Sequence, residues 1–348
     1  MSDRGNKAVI IWLFAVAALV GLMVVVGGYV RLTRAGLSIV EWNPISGVIP
    51  PIGEQAWQQE FAKYQQTPEF KFVNAAMTLE AYKGIFYLEW AHRLIARLAG
   101  LIVVLPLIYF LWKRIIPWRK SAPYLLIALL FAFQGFMGWY MVSSGLIDQP
   151  HVSHFRLTIH LLIALTLLAL ALWLGLDRVY GHGGATRPRW SGLGLAALAI
   201  IVVQIAYGGL VAGLKAGHVS NTWPLMGGAL VPSDLLAQTG SWLNSMVEAP
   251  LTVHFIHRWL AFAVLVIALW LYFRQGAGKT EGAEQIRRGA AAVVVIILVQ
   301  IGLGISVVVF GVPIWLALLH QTTALLMFAT AVYLNHRLAW ARGSENGR

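Results

Sequence analysis

Eight apolar stretches of about 20 residues, bounded by charges or by Gly and Pro clusters, constrain this chain more than any other feature. They run Val9–Tyr29, Gly84–Trp112, Ala122–Val142, Leu157–Leu176, Leu193–Ala212, Val253–Phe273, Ala290–Phe310 and Trp315–Leu334. A helix of that length matches the hydrocarbon thickness of a bilayer, where every backbone polar group must bond within its own segment. The pattern therefore predicts an all-α polytopic membrane protein with eight transmembrane helices. The first stretch is read as a retained helix and not a cleaved signal peptide, because it is too long and continues into Gly27-Gly28-Tyr29-Val30-Arg31 without a small-residue cleavage site.

Charge gives the orientation. Only 11% of residues are charged against 59% hydrophobic, and Lys+Arg outnumber Asp+Glu by 26 to 14. A nucleic-acid binder would carry such a surplus on a polar chain, so nucleic acid is not an expected partner. The amino terminus, three alternate connections and the tail hold 16 Lys and Arg (Arg4, Lys7, Lys113, Arg114, Arg119, Lys120, Arg178, Arg187, Arg189, Arg274, Lys279, Arg287, Arg288, Arg337, Arg342, Arg348), against 7 in the other connections. The positive-inside rule puts these segments and both termini in the cytoplasm. Residues 34–83 and 213–250 then form long external loops, where function often resides.

The chain also repeats itself. Gly27-Gly28-Tyr29-Val30-Arg31-Leu32-Thr33-Arg34-Ala35-Gly36 returns as Gly208-Gly209-Leu210-Val211-Ala212-Gly213-Leu214-Lys215-Ala216-Gly217, with Trp42 and Trp223 at the same offset. Glu89-Trp90-Ala91-His92-Arg93 returns as His254-Phe255-Ile256-His257-Arg258, Gln134-Gly135-Phe136-Met137-Gly138 as Gln300-Ile301-Gly302-Leu303-Gly304, and His160 falls opposite His320. Landmarks in the same order mark a duplicated four-helix unit. An even number of spans per unit predicts two tandem four-helix bundles, residues 1–180 and 190–340, related by a pseudo-twofold along the membrane normal.

With no cysteine, disulfides, thiolate metal sites, iron–sulfur ligation and cysteine nucleophiles are all excluded, and ten histidines remain. His92, His160, His257 and His320 sit near the outer ends of the even-numbered spans. Intramembrane histidines are rare and point into a bundle. Their matched placement suggests one haem clamp per half, His92 with His160 and His257 with His320; the alternative for each is a hydrogen bond to a neighbouring helix. Zinc or di-iron sites would need thiolates or repeated carboxylates, and only one Glu-x-x-His, Glu89-x-x-His92, is present. Its second-half counterpart is His254, so the repeat breaks there. Glu89 either pairs with Arg93 or serves as proton acceptor or substrate-orienting group. Arg31, Arg34, Arg93 and Arg258 lie on the outer side, available to haem propionates or snorkelling to the interface. Trp42, Trp90, Trp139, Trp223 and Trp259 are belt residues or haem neighbours. His151, His154 and His218 are read as loop residues, His182 and His336 as cytoplasmic residues without chemistry, and His257 is preferred to His254 as ligand because it aligns with His92.

Eight spans in two repeats, Glu89-Trp90-Ala91-His92-Arg93, His257-Arg258, the single histidines of spans four and eight and the Gly27–Ser38 stretch together resemble the haem A synthases over essentially the whole chain. The resemblance implies oxidation of the C8 methyl of haem O to a formyl by two successive hydroxylations, through haem I, and loss of water, supplying haem A to terminal cytochrome oxidase. It further implies that His92 and His160 flank the substrate haem with Glu89 beside it, and that His257 and His320 ligate a haem b cofactor. Haem O synthase and an electron donor or acceptor are the implied partners. The absence of cysteine resembles the proteobacterial and mitochondrial branch, and the short tails point to a bacterial inner membrane. A b-type cytochrome that only moves electrons would use the same four ligands, but leaves Glu89 unexplained. A haem O synthase would need an aspartate-rich diphosphate motif, which the spans lack.

Overall fold

The computed structural model describes residues 3–181, 188, 190–235, 239–275 and 282–340. His182, Arg187, Arg189, Lys279, Arg342 and Arg348, used above for function or topology, lie outside the described residues. Regular structure among the described residues is helical, apart from an isolated bridge between Met226 and Ala229. The α-helices are α1 (Asp3–Leu32), α2 (Glu54–Gln65), α3 (Pro68–Phe72), α4 (Leu79–Trp112), α5 (Ala122–Ser143), α6 (His154–Tyr180), α7 (Gly192–Gly213), α8 (Trp242–Glu248), α9 (Pro250–Gln275), α10 (Ala283–Val309) and α11 (Ile314–Ala339). Eight of them (α1, α4, α5, α6, α7, α9, α10 and α11) are long and apolar enough to cross a membrane, and each matches one apolar stretch. The protein is a multi-pass membrane protein.

Helix ends follow local chemistry. Thr78 caps α4 by accepting from the Ala81 amide at 3.3 Å, and Ser191 caps α7 by accepting from the Gly194 amide at 3.2 Å. Both α1 and α7 stop in the same way, with a non-glycine residue just beyond the end in left-handed geometry, Arg34 at φ 58° and Lys215 at φ 53°. That conformation costs roughly 1 kcal/mol for a residue with a Cβ. Arg114 beyond α4 and Val312 beyond α10 adopt it too, at φ 54° and 62°.

The chain divides into two compact units, Ala18–Leu167 and Met1–Ala17 with Leu168–Arg348. In the second, α7 packs on α9, α9 on α10, α10 on α11 and α11 back on α7, a closed ring of four helices. In the first, α4 packs on α5, and the segment between α1 and α4 folds over the N-terminal part of α4. This segment is more than a loop. Trp57 and Tyr64 of α2 and Tyr82 and Phe86 of α4 are buried together, with Phe61 and Phe70 packed against them. Asn74 Nδ2 donates to the Tyr64 hydroxyl at 2.7 Å, and the Tyr82 hydroxyl donates to the Ser38 carbonyl at 3.1 Å. An aromatic core of this kind allows a long extramembrane connection to hold one shape.

Candidate functional site

Each of the four matched histidines rests against a glycine of the membrane span preceding its own. A Cβ on Gly27 would stand 3.1 Å from His92 Nε2, and one on Gly138 3.2 Å from His160 Cε1. In the second half, a Cβ on Gly208 would stand 3.2 Å from His257 Cε1 and one on Gly304 3.1 Å from His320 Cε1. Four glycines let four imidazoles lie close to a neighbouring backbone. Gln134 Nε2 donates to the His160 carbonyl at 3.0 Å, Gln204 to that of His257 at 3.0 Å and Gln300 to that of His320 at 2.9 Å.

His257 and His320 face each other with ring centres 6.4 Å apart and planes at 81°. Two metal–imidazole bonds of about 2 Å each, with the half-widths of two rings, span roughly that separation. Each of these rings carries a buried Nδ1 with no hydrogen-bond partner. No group of three or more His, Asp or Glu side chains converges among the described residues, so this pair would hold a haem better than an ion that needs four protein ligands. The residues present fit a haem.

His254 is a different kind of histidine. It is buried, and Arg258 Nε donates to its Nε2 at 3.0 Å. The same guanidinium donates to the Thr222 and Ser220 carbonyls, both at 2.9 Å, and lies over the Trp223 ring. In the first half Arg93 reaches the Glu41 and Ile39 carbonyls at 3.3 and 3.1 Å, lies over Trp42, and bonds Glu89 Oε1 through Nε and Nη2 at 3.0 and 2.6 Å. The two arginines thus pin corresponding loop segments to corresponding helix turns. Glu89 and His254 are the acceptors at the root of each pin.

Glu89 does more than its counterpart. Its Oε2 accepts from the Ser38 amide at 2.8 Å, the Ser38 hydroxyl at 2.7 Å and the Ile39 amide at 2.9 Å. With Arg93 on Oε1, the buried carboxylate is saturated with donors. Position 38 was not a sequence candidate; the only clue was the break in the repeat, since Val219 stands where the first half has Ser38. Glu41, Trp42, Arg93, Trp139, Val142 and Leu146 line a pocket in this half. Trp42 and Trp223 serve their arginines as ring platforms, a role beyond belt or haem neighbour.

The remaining candidates spread out. Arg31 is half-buried at the end of α1, and Arg34, beyond it, stands 3.6 Å from Glu69. His336, expected to be cytoplasmic and inert, is fully buried with Nε2 2.9 Å from Asp177, near the other ends of α11 and α6. Spacing gave no signal for that long-range pair.

Residues 10–332 match a family model described as cytochrome oxidase assembly protein. Similar curated proteins include the haem A synthases of Sphingopyxis alaskensis, 42% identical over 94% of this chain and 91% of the relative, and Flavobacterium psychrophilum, 40% identical over 97% and 99%. The haem A synthase of Paramagnetospirillum magneticum is 44% identical over 97% of this chain and 96% of its own. With the paired histidines, their glycine shelves and the arginine pins in place, and a match that runs through all eight spans, the chain belongs to the cytochrome oxidase assembly family that includes the haem A synthases.

Proposed function

We propose that this protein is a haem A synthase, an oxidoreductase that converts the C8 methyl of haem O to a formyl through two hydroxylations and a dehydration. One observation carries the reading: two histidine sites built alike differ where one has Glu89 locked to Ser38 and the other has His254. A pure electron carrier has no use for that difference. The first half, residues 1–180, takes the substrate between His92 and His160; the second, 190–340, holds haem b between His257 and His320. A bound haem b supplies one-electron chemistry, which side chains cannot provide.

The residues divide the remaining work. Arg31 and Arg34 meet the propionates, while Arg93 and Arg258 hold the loops that close the outer ends and add positive charge there. Glu89 positions the substrate-side mouth. To take a proton it would first have to release Ser38 or Arg93, so its donors hold it as an anchor in this conformation. An apolar groove between spans would take the farnesyl tail. The setting is a bacterial inner membrane with both termini cytoplasmic, and haem O synthase and an electron donor or acceptor are the partners.

The test is to extract non-covalent haems from membranes that contain this protein and a haem O source, and to separate them by chromatography. Haem A or its alcohol precursor should appear only with the intact protein. Haem b alone, at two per chain, would replace this reading with the electron carrier.

A further inference from the structure

Three of the four histidines are braced by the same device. Gln134 bonds the His160 carbonyl at 3.0 Å while Gly138 shelves the ring; Gln204 and Gly208 do so for His257, and Gln300 and Gly304 for His320. Each brace reads Gln-x-x-x-Gly on the preceding helix, a spacing that puts amide and shelf on one face. The Gln134 and Gln300 amides also lie 3.3 and 3.4 Å from Nε2 of their histidine rings. The glutamine thus holds backbone and ring together at His160 and His320, and the backbone at His257.

His92 is the exception. Gly27 provides the shelf, but Met23 stands four residues earlier, and among the described residues no side chain donates to the His92 carbonyl. The ring sits differently as well, with Nε2 nearest the shelf where the other three present Cε1. Met23 is half-buried on the face that Gly27 shares.

We infer that position 23 sets haem exchange: without a glutamine there, His92 is the displaceable ligand, and substrate haem enters and product haem leaves by its release. The braced pair His257 and His320 retains its haem through turnover. The inference rests on the assignment of substrate to the first half. Its physical basis is that a resident cofactor must stay while a substrate must leave once per cycle, and the chain is built with one loose ligand on the side that must let go.

The experiment loads the full-length protein in detergent with haemin and follows transfer to excess apomyoglobin. The wild type should lose haem in a fast and a slow phase. Met23→Gln should slow the fast phase about threefold to tenfold, the worth of one interhelical hydrogen bond, and Met23→Leu should leave it unchanged. Gln204→Met should speed the slow phase by a similar factor. A Met23→Gln protein that holds both haems with an unaltered fast phase overturns the inference. If that variant loses the slow-phase haem too, it has misfolded; Gln204→Met and Gln300→Met then decide, and an unaltered slow phase in both overturns it equally. Haem transfer is read separately from haem A production. Shifted phases without product would sink the haem A synthase reading and keep the brace, whereas product without shifted phases does the reverse.

Discussion

Glu89 takes hydrogen bonds from the Ser38 amide and hydroxyl, the Ile39 amide and the Arg93 guanidinium, all while buried in the N-terminal half of a membrane helix. Breaking a buried pair of this kind leaves an uncompensated charge, a loss of about 3 kcal/mol or more. Glu89→Gln should therefore lower thermal stability and abolish haem A production while the absorbance of the second-half haem persists; a full yield of product from that variant removes Glu89 from the reaction. The glycine shelves allow a paired test. Gly304→Ala puts a methyl 3.1 Å from the His320 ring, whereas nothing lies within 4 Å of a methyl at Gly302, two residues away. Haem content per chain, read from the Soret band, should fall in the first and hold in the second; equal haem content in both would mean the shelf is not needed.

At the scale of elements, the segment between α1 and α4 that carries α2 and α3 is the least legible part of the sequence. Charge assigns residues 34–83 to the outside, but nothing in their periodicity announces an aromatic core, because Trp57, Tyr64, Tyr82 and Phe86 meet across a chain reversal. This cap bears on the site, since Tyr82 bonds the Ser38 carbonyl and Ser38 bonds Glu89. Trp57→Ala should destabilise the cap by about 3–5 kcal/mol. Limited proteolysis from the outer side should then cut within residues 43–78 faster than in the wild type, and an unchanged cleavage rate would show that the cap stands without its core. Tyr82→Phe, which loses one hydrogen bond, should act in the same direction by about 1 kcal/mol.

For the whole molecule, the orientation inferred from Lys and Arg can be checked directly because the chain has no cysteine of its own. A single cysteine at Ser46 should react with a membrane-impermeant maleimide added outside intact cells, and one at Arg119 should react only after the membrane is opened. The reverse pattern would invert the topology and put both proposed haem sites on the cytoplasmic side. The buried His336–Asp177 pair near the other ends of α11 and α6 shows the limit of a residue-type argument. A histidine in a basic terminal turn reads as solvated until its partner, 159 positions earlier in the chain, is known.

By itself the sequence determined the eight spans, and it singled out an internal repeat with four matched histidines, because apolar length, charge bias and internal alignment are local or additive quantities. Alignment with His92 already preferred His257 to His254, but that the first faces His320 and the second Arg258 is decided by packing alone. The same holds for Glu89, whose neighbours Ser38 and Ile39 lie about 50 residues away. Hydrogen bonds are short-ranged and directional, so which donors saturate a carboxylate, or which glutamine braces a histidine, is fixed only when helices distant in sequence come within 3 Å of one another.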